Sequence, residues 1–438
     1  MPRPNILYIH SHDTGRYIQP YGFAVPTPNL QRLAAQGVLF RQAFCAGPTC
    51  SPSRAALLTG QWPHNSGMIG LAHRGFALSD PTQLLPHTLR QAGYYTALVG
   101  EQHVAAGACL DLLGYDFIER TRPGNHVADV APRAAAFFKN APRQPFFLDC
   151  GFVETHREYP PHGPENDPRY CCPPAPLPDT PETRADMACF HASARELDRG
   201  VGLVLEALEA SGLAGNTLVI STTDHGIAFP FMKCHLTDHG MGVLLILRGP
   251  GGFEGGQVCD ALVSHVDIFP TLCDLLGIPP PPWLQGVSLL PLIRKEKAEV
   301  REELFGEVTY HAAYEPQRAV RTRRWKYIRR FDPRPTPVLP NCDDSPSKSV
   351  LLTHGLREWP VAAEQLYDLM LDPNESCNRA GDPHAAAALA EMRERLARFM
   401  RDTSDPLLRG PVPAPPGAQV NDPAGLSPRE RTKQAGTE

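Results

Sequence analysis

Asn5-Ile6-Leu7-Tyr8-Ile9-His10-Ser11-His12-Asp13, near the N-terminus, changes character half-way. Residues 5–9 are mostly apolar and β-prone, without the polar alternation of a strand that has one wet face. Such a strand belongs in a parallel sheet covered by helices on both faces. His10, His12 and Asp13 then crowd ionisable groups just past its carboxyl end.

The next segments obey the same rule. Thr27-Pro28 reads as the N-cap and first-turn proline of a helix that Gly37 closes. Residues 84–92 read as a helix ended by Gly93, with strand 95–99 behind it. Strands follow at 146–152, 217–221 and 243–247, and helices at 185–210 and 266–276. In the long helix Leu203, Val204, Leu205 and Leu208 are expected on the inner face. The pattern predicts an α/β fold over residues 1–295, a large mostly parallel sheet sandwiched by helices. Residues 296–405 predict a smaller C-terminal α+β subdomain with an antiparallel sheet. Its strands are expected near 303–309, 319–322 and 326–330, then a loop over 332–360 and a helix over 385–401. The basic run from Arg321 to Lys326 reads as a solvated sheet face, and the Pro- and Gly-rich tail 406–438 is expected to lack order.

Four predicted strands end in chemistry. Strand 5–9 delivers His10, His12 and Asp13; strand 95–99 delivers Glu101 and His103. Strand 146–152 delivers Glu154, His156 and Arg157, and strand 217–221 delivers Asp224 and His225. Open α/β sheets bind ligands outside the carboxyl ends of their strands. One ionisable residue there is ordinarily a solvated loop group, but four clusters at one edge point to metal-assisted hydrolysis.

Composition narrows the partners. A formal net charge of −5 gives no field for nucleic acid or an anionic membrane surface. The longest apolar stretches are strand-sized, so no membrane span is expected. No apolar leader precedes a cleavage site, which makes a cytoplasmic protein the expectation. Twelve cysteines in 438 residues are too dilute for a disulfide scaffold and read as reduced thiols.

Cys50 stands apart. In Cys50-Ser51-Pro52-Ser53-Arg54-Ala55-Ala56-Leu57-Leu58-Thr59-Gly60 the proline and following apolar residues suggest a buried helix, with Cys50 at its N-terminus. Free N–H groups and the helix dipole favour an anion there, so this reads as a low-pKa thiol or a structural cysteine. C-x-P-S-R followed by L-x-T-G resembles the signature of type I, formylglycine-dependent sulfatases of the alkaline phosphatase superfamily. Asn65-Ser66-Gly67-Met68, residues 264–278, Leu366-Tyr367-Asp368 and Asp372-Pro373 are also similar to sulfatase segments. Residues 198–205 and 224–230 look most like the heparan N-sulfatase (N-sulfoglucosamine sulfohydrolase) branch.

The resemblance implies a sulfate ester or sulfamate hydrolase acting on a sulfated small molecule or glycan. A formylglycine-generating maturation enzyme would oxidise Cys50; the hydrated aldehyde then attacks sulfur with one hydroxyl and expels sulfate with the other. Arg54 would hold that diol, and His103 would assist the second step. His156 would protonate the leaving group, and Lys233 would hold the sulfate. Asp13 and Asp224 match carboxylate ligands of one divalent ion, Ca²⁺ by resemblance, with Cys50 expected in the same ligand set. Three positions depart. His12 stands where an Asp is usual and His225 where an Asn is usual; as ligands they would favour Mn²⁺, Fe²⁺ or Zn²⁺. Glu101 stands where a lysine is usual, so either Lys233, Arg157 or a protonated histidine compensates, or the substrate carries less charge or an amine. His235 and His239 are weaker pocket candidates. Two alternatives stay open: a phosphonate monoester or phosphodiester hydrolase on the same fold, which Asp224-His225 allows, and an inactive sulfatase-like binding protein.

Overall fold

A computed structural model describes residues 3–119, 124–140 and 142–436. Its eight-stranded sheet runs Phe117–Glu119, Tyr95–Gly100, Phe146–Gly151, Asn5–Ser11, Thr217–Thr223, Leu245–Arg248, Val38–Phe40, Gln257–Cys259. Every described pairing is parallel except the two made by Leu245–Arg248. The apolar strand near the N-terminus is central, and all seven of its residues are buried. Ile6 and Tyr8 join one apolar cluster and Leu7 and Ile9 the other, as alternation on a doubly covered sheet requires.

The first helix spans Pro28–Gln36, after Thr27 and before Gly37 as the sequence predicts. The long helix is longer than expected, Pro181–Ala210, because Thr180 and Thr183 form a capping box ahead of it. Val204, Leu205 and Leu208 face the core; Leu203 does not, and is 39% exposed. At about 100° per residue four nearly consecutive positions cannot share one face, and Leu203 falls on the wet side.

The C-terminal sheet is antiparallel, in the order Leu304–Tyr310, Tyr314–Arg321, Trp325–Arg330, Glu364–Asp368. Phe305, Val320, Tyr327 and Leu366 pack with Leu389, Met392, Leu396 and Phe399 of the helix Ala386–Asp402. Ala46, Ala56 and Trp62 belong to the same cluster, so this sheet braces the segment that carries Cys50.

Three expectations fail here. The loop 332–360 contains a helix, Pro346–Thr353, capped by the Ser345 side chain. Arg321 and Lys326 are not solvated; both are buried against Asp238, and Arg321 also lies over the Phe44 ring. The tail is packed rather than disordered: Gln419–Val420 pairs with Lys433–Gln434, Ala418 and Asn421 are buried, and Asn421 Oδ1 accepts from Arg74 at 2.7 Å. Composition missed it because these contacts are specific and distant in sequence.

Truncating a fully buried leucine loses transfer free energy and leaves a cavity, about 2–5 kcal/mol. Leu208→Ala should lower the thermal midpoint clearly, whereas exposed Leu203→Ala should lie within about 0.5 kcal/mol of wild type. Calorimetric scans of both variants check the assignment of the helix faces.

Candidate active site

The four strand ends meet at one buried cluster. Among its residues, Asp13, Asp224, His225 and Cys50 offer ligand atoms within 4.8 Å of one another, and so do His12, Asp13, Cys50 and His156. His12 Nδ1 stands 3.0 Å from Asp224 Oδ2. Asp13 Oδ1 is buried and accepts no hydrogen bond from a described residue; His225 Nε2 and His12 Nδ1 approach it at 3.4 and 3.6 Å. The Asp13 backbone is left-handed (φ 52°), which an aspartate tolerates better than most side chains and which costs about 1–3 kcal/mol.

Burial would push His225 down, but Asp224 and Asp13 lift it to about 9. Burial and Arg54 oppose protonation of His12, yet Asp224 and Asp13 raise it well above the usual histidine range. Imidazoles drawn to take a proton between buried carboxylates mark a place that demands positive charge. An orphaned carboxylate oxygen and converging oxygen and nitrogen donors therefore fit a divalent cation.

Cys50 begins the helix Cys50–Thr59, whose ten residues are all buried. Thr49, the N-cap, makes no side-chain capping bond, so the helix start keeps N–H groups for an anion. Cys50 Sγ lies 3.4 Å from His225 Nε2. Burial would raise its pKa; Lys233 and His225, with His103 and His12 close by, hold it well below the usual thiol value. The setting is built for a negatively charged group at residue 50.

Arg54, one turn on, donates to Ser11 O at 2.9 Å, Asp224 Oδ2 at 3.1 Å and His10 Nδ1 at 2.5 Å. His10 must then carry its proton on Nε2, which lies 2.9 Å from Asp149 Oδ1; Tyr115 donates to the other oxygen of Asp149. This chain orients the guanidinium and leaves Arg54 Nε–H without a partner among the described residues. Sequence reasoning saw His10 at a strand end without a role, and missed Asp149, which lies inside an otherwise apolar strand.

Lys233 arrives from a loop whose neighbours Phe231 and Cys234 have left-handed backbones (φ 66° and 67°). Its Nζ donates to Asp13 Oδ2 at 2.8 Å, stands 3.0 Å from Asp343 Oδ2 and 3.5 Å from His156 Nε2. Asp343 has no sequence motif; only the fold brings it here. His156 Nδ1 donates to the Arg157 carbonyl at 2.5 Å, which turns Nε2 toward the site. His103 has a left-handed backbone (φ 53°), and its Nε2 lies 2.8 Å from Nδ1 of His73, an exposed residue that sequence reasoning missed. Glu101 accepts from Asn125 at 2.8 Å. Burial would raise its pKa, but His12 and His103 hold it at about 2, so it is anionic.

Three weaker candidates go elsewhere. Arg157 cannot compensate for Glu101: it pairs with buried Asp186 through both terminal nitrogens (2.7 and 2.8 Å), donates from Nε to Ala228 O and lies over the Tyr159 ring. His235 and His239 line a separate cavity of about 670 Å³ with Phe231, Arg330 and Trp359. His235 Nδ1 donates to Lys233 O, and His239 Nδ1 pairs with the Tyr17 hydroxyl.

A sulfatase sequence profile matches residues 4–278. The chain belongs to the sulfatase family, hydrolases of sulfate esters and sulfamates. A profile for the C-terminal part of N-sulphoglucosamine sulphohydrolase matches residues 225–346. N-sulphoglucosamine sulphohydrolase of Homo sapiens is 31% identical, over 93% of this chain and 92% of its own length. A solved protein in complex with its substrate D-glucosamine-2-N,6-O-disulfate superposes with a TM-score of 0.75 at 18% identity, covering 93% of this chain and 99% of its own. A phosphonate monoester hydrolase of Silicibacter pomeroyi superposes at 0.72 with 21% identity, covering 93% and 97%; at such identity the likeness is one of fold. Sulfatases use a metal ion, and the cluster around Asp13 and Asp224 has groups that could hold one. Among the described residues no helix is long and apolar enough to cross a membrane.

A saturating divalent ion should stabilise the folded chain by roughly 2.7 kcal/mol at a hundredfold excess over Kd. Adding Mn²⁺ or Ca²⁺ to EDTA-treated protein should raise the thermal midpoint by several degrees, and Asp224→Asn should remove most of that rise. An equal rise in wild type and variant would exclude Asp224 as a ligand.

Proposed function

We propose that this sulfatase cleaves the sulfamate of an N-sulfated amino sugar, with sugar sulfate esters as the neighbouring substrate class, through a formylglycine made from Cys50 and one divalent ion. The observation that carries the reading is the placement of Cys50: at an uncapped helix start, 3.4 Å from His225 in a cluster with Asp13 and Asp224, and charge-coupled to Lys233. Similarity to N-sulphoglucosamine sulphohydrolase over nearly the whole chain supports the N-sulfate.

His12, Asp13, Asp224 and His225 would hold the ion, which supplies charge stabilisation for the nucleophile and for sulfate oxygens when bound. Imidazole ligands favour Mn²⁺ or another transition metal over Ca²⁺. Hydrated formylglycine supplies one hydroxyl to attack sulfur and a second to expel sulfate. Arg54, anchored by His10 and Asp224, neutralises charge beside residue 50. Lys233, held between Asp13 and Asp343, presents a buried ammonium to the sulfate. His156, its Nδ1–H tied to a carbonyl, turns Nε2 inward; as the imidazolium it can give the Nε2 proton to the departing nitrogen or oxygen and is left neutral with its Nδ1–H in place. Because Cys50–Thr59 is helical and buried throughout, a maturation enzyme must read the motif before the fold closes.

Protein expressed with a formylglycine-generating enzyme should carry an aldehyde at residue 50, seen by peptide mass spectrometry. It should turn over glucosamine N-sulfate faster than an aryl sulfate, and an aryl phosphonate most slowly. Cys50→Ala should lose more than about 10³-fold in turnover while keeping its thermal midpoint. Wild-type turnover in that variant would sink the formylglycine assignment, and a preference for the phosphonate would move the chain to the alternative chemistry.

A further inference from the structure

Next to the cluster around Asp13 and Asp224 stands another, made of His12, Glu101 and His103, whose ligand atoms also lie within 4.8 Å of one another. We propose that His12, Glu101 and His103 form a second, zinc-class metal site, sharing the His12 imidazole with the first.

The strand order makes the sharing possible. Asn5–Ser11 leads into His12 and lies between Phe146–Gly151 and Thr217–Thr223, with Tyr95–Gly100 on the far side of Phe146–Gly151. Asp224 approaches from the Thr217–Thr223 side, and His12 Nδ1 faces it at 3.0 Å. Glu101 and His103 approach from the Tyr95–Gly100 side, which leaves Nε2, the opposite nitrogen of the same ring, for them. A ring with a nitrogen on each side can serve both clusters.

The surrounding contacts are those of a metal ligand set. A ligating histidine characteristically gives its other N–H to an acceptor that fixes ring and tautomer. His103 Nε2 lies 2.8 Å from His73 Nδ1, with the two rings stacked at 5.0 Å, while His103 Nδ1 is buried without a hydrogen-bond partner. Glu101 is oriented in the same way: Asn125 donates to Oε2, leaving Oε1 to bind. Two imidazoles and one carboxylate are a donor set of catalytic zinc sites, which keep a fourth position open.

The charge argument runs the same way. Glu101, with Oε2 held by Asn125, puts a carboxylate at a site that must receive a sulfated, negatively charged substrate. Lys233 is already bound to two carboxylates and Arg157 is committed to Asp186, so neither offsets Glu101. A dication held by Glu101 does.

The test is metal stoichiometry, which does not depend on maturation of Cys50 or on turnover. The full chain is stripped with chelator, loaded with Zn²⁺, desalted and analysed by inductively coupled plasma mass spectrometry. Two ions per chain are expected in wild type, and one in Glu101→Ala and in Glu101→Lys, where the new ammonium takes the place of the ion. Asp224→Asn should instead lose the first ion and keep the second. One ion in wild type that Glu101→Ala leaves in place overturns the second site and leaves the proposed function standing. If the Glu101 variants fail to fold, anomalous scattering at the zinc edge from wild-type crystals decides: a peak bonded to Glu101 and His103 is expected, and none there refutes the site.

Discussion

Asp13 and Asp224 hold their carboxylates away from water at adjoining strand ends, and the polar architecture around the carboxyl edge of the large sheet follows from that. Burying an unpaired charge costs several kcal/mol, so each carboxylate must be met by positive charge and hydrogen-bond donors. Asp224 takes Arg54 at 3.1 Å and His12 at 3.0 Å; Asp13 takes Lys233 at 2.8 Å. The cations then need support of their own. Arg54 is held by His10, which is held by Asp149. Lys233 is held by Asp343, whose approach depends on the C-terminal part of the chain. One pair of acids thus organises two shells of side chains from distant segments.

The central sheet and much of this site were legible in the sequence, because both depend on local pattern. An apolar strand with ionisable residues past its end states its burial and its edge in nine letters, and the structure brings His12, Asp13, Glu101, His103, His156, Asp224 and His225 together at that edge. What was not legible is long-range. Asp343 is 110 positions from Lys233, in a stretch that read as loop. Ser345-Pro346 is an N-cap followed by a first-turn proline, so the helix after it had a local signal, masked by the prolines and serines around it. Arg321 and Lys326 read as solvated because charge is ordinarily exposed; the fold instead places Asp238 and Glu375 against them. Arg157 failed for the converse reason, since its position after a strand said nothing of Asp186 in the long helix.

The C-terminal sheet has a double role. Its apolar face, with Phe305 and Tyr327, closes over Trp62, Ala46 and Ala56, the last of these in the Cys50 helix. Its polar groups reach the same region: Glu307 accepts from the His64 backbone and ring at 2.6 Å each, and its own N–H bonds to Ala46 O at 2.9 Å. Ala46 lies four residues before Cys50, so the sheet sets the angle at which the Cys50 helix enters the site. A helix whose ten residues are all buried has little freedom to reposition. The site is therefore preorganised by packing as well as by charge, and preorganised groups stabilise a transition state without reorganising during the reaction.

Charge within the shell gives the final constraint. Asp13, Asp224, Glu101 and Asp343 are four carboxylates, and Arg54 and Lys233 are the two permanent cations that face them. The shell is short by two positive charges before a substrate arrives, and a sulfated substrate adds negative charge that grows as sulfate departs. Without an ion, the protons drawn to His12 and His225 can offset that deficit, but an ion bound by those imidazoles displaces them, and His10 and His73 are driven toward the neutral form by burial and by Arg54 or His103. One dication makes the shell neutral; a net positive shell, of the kind that draws in an anion and stabilises its transition state, needs more. With Lys233 bound between Asp13 and Asp343, the nearest carboxylate against which to put that charge is Glu101.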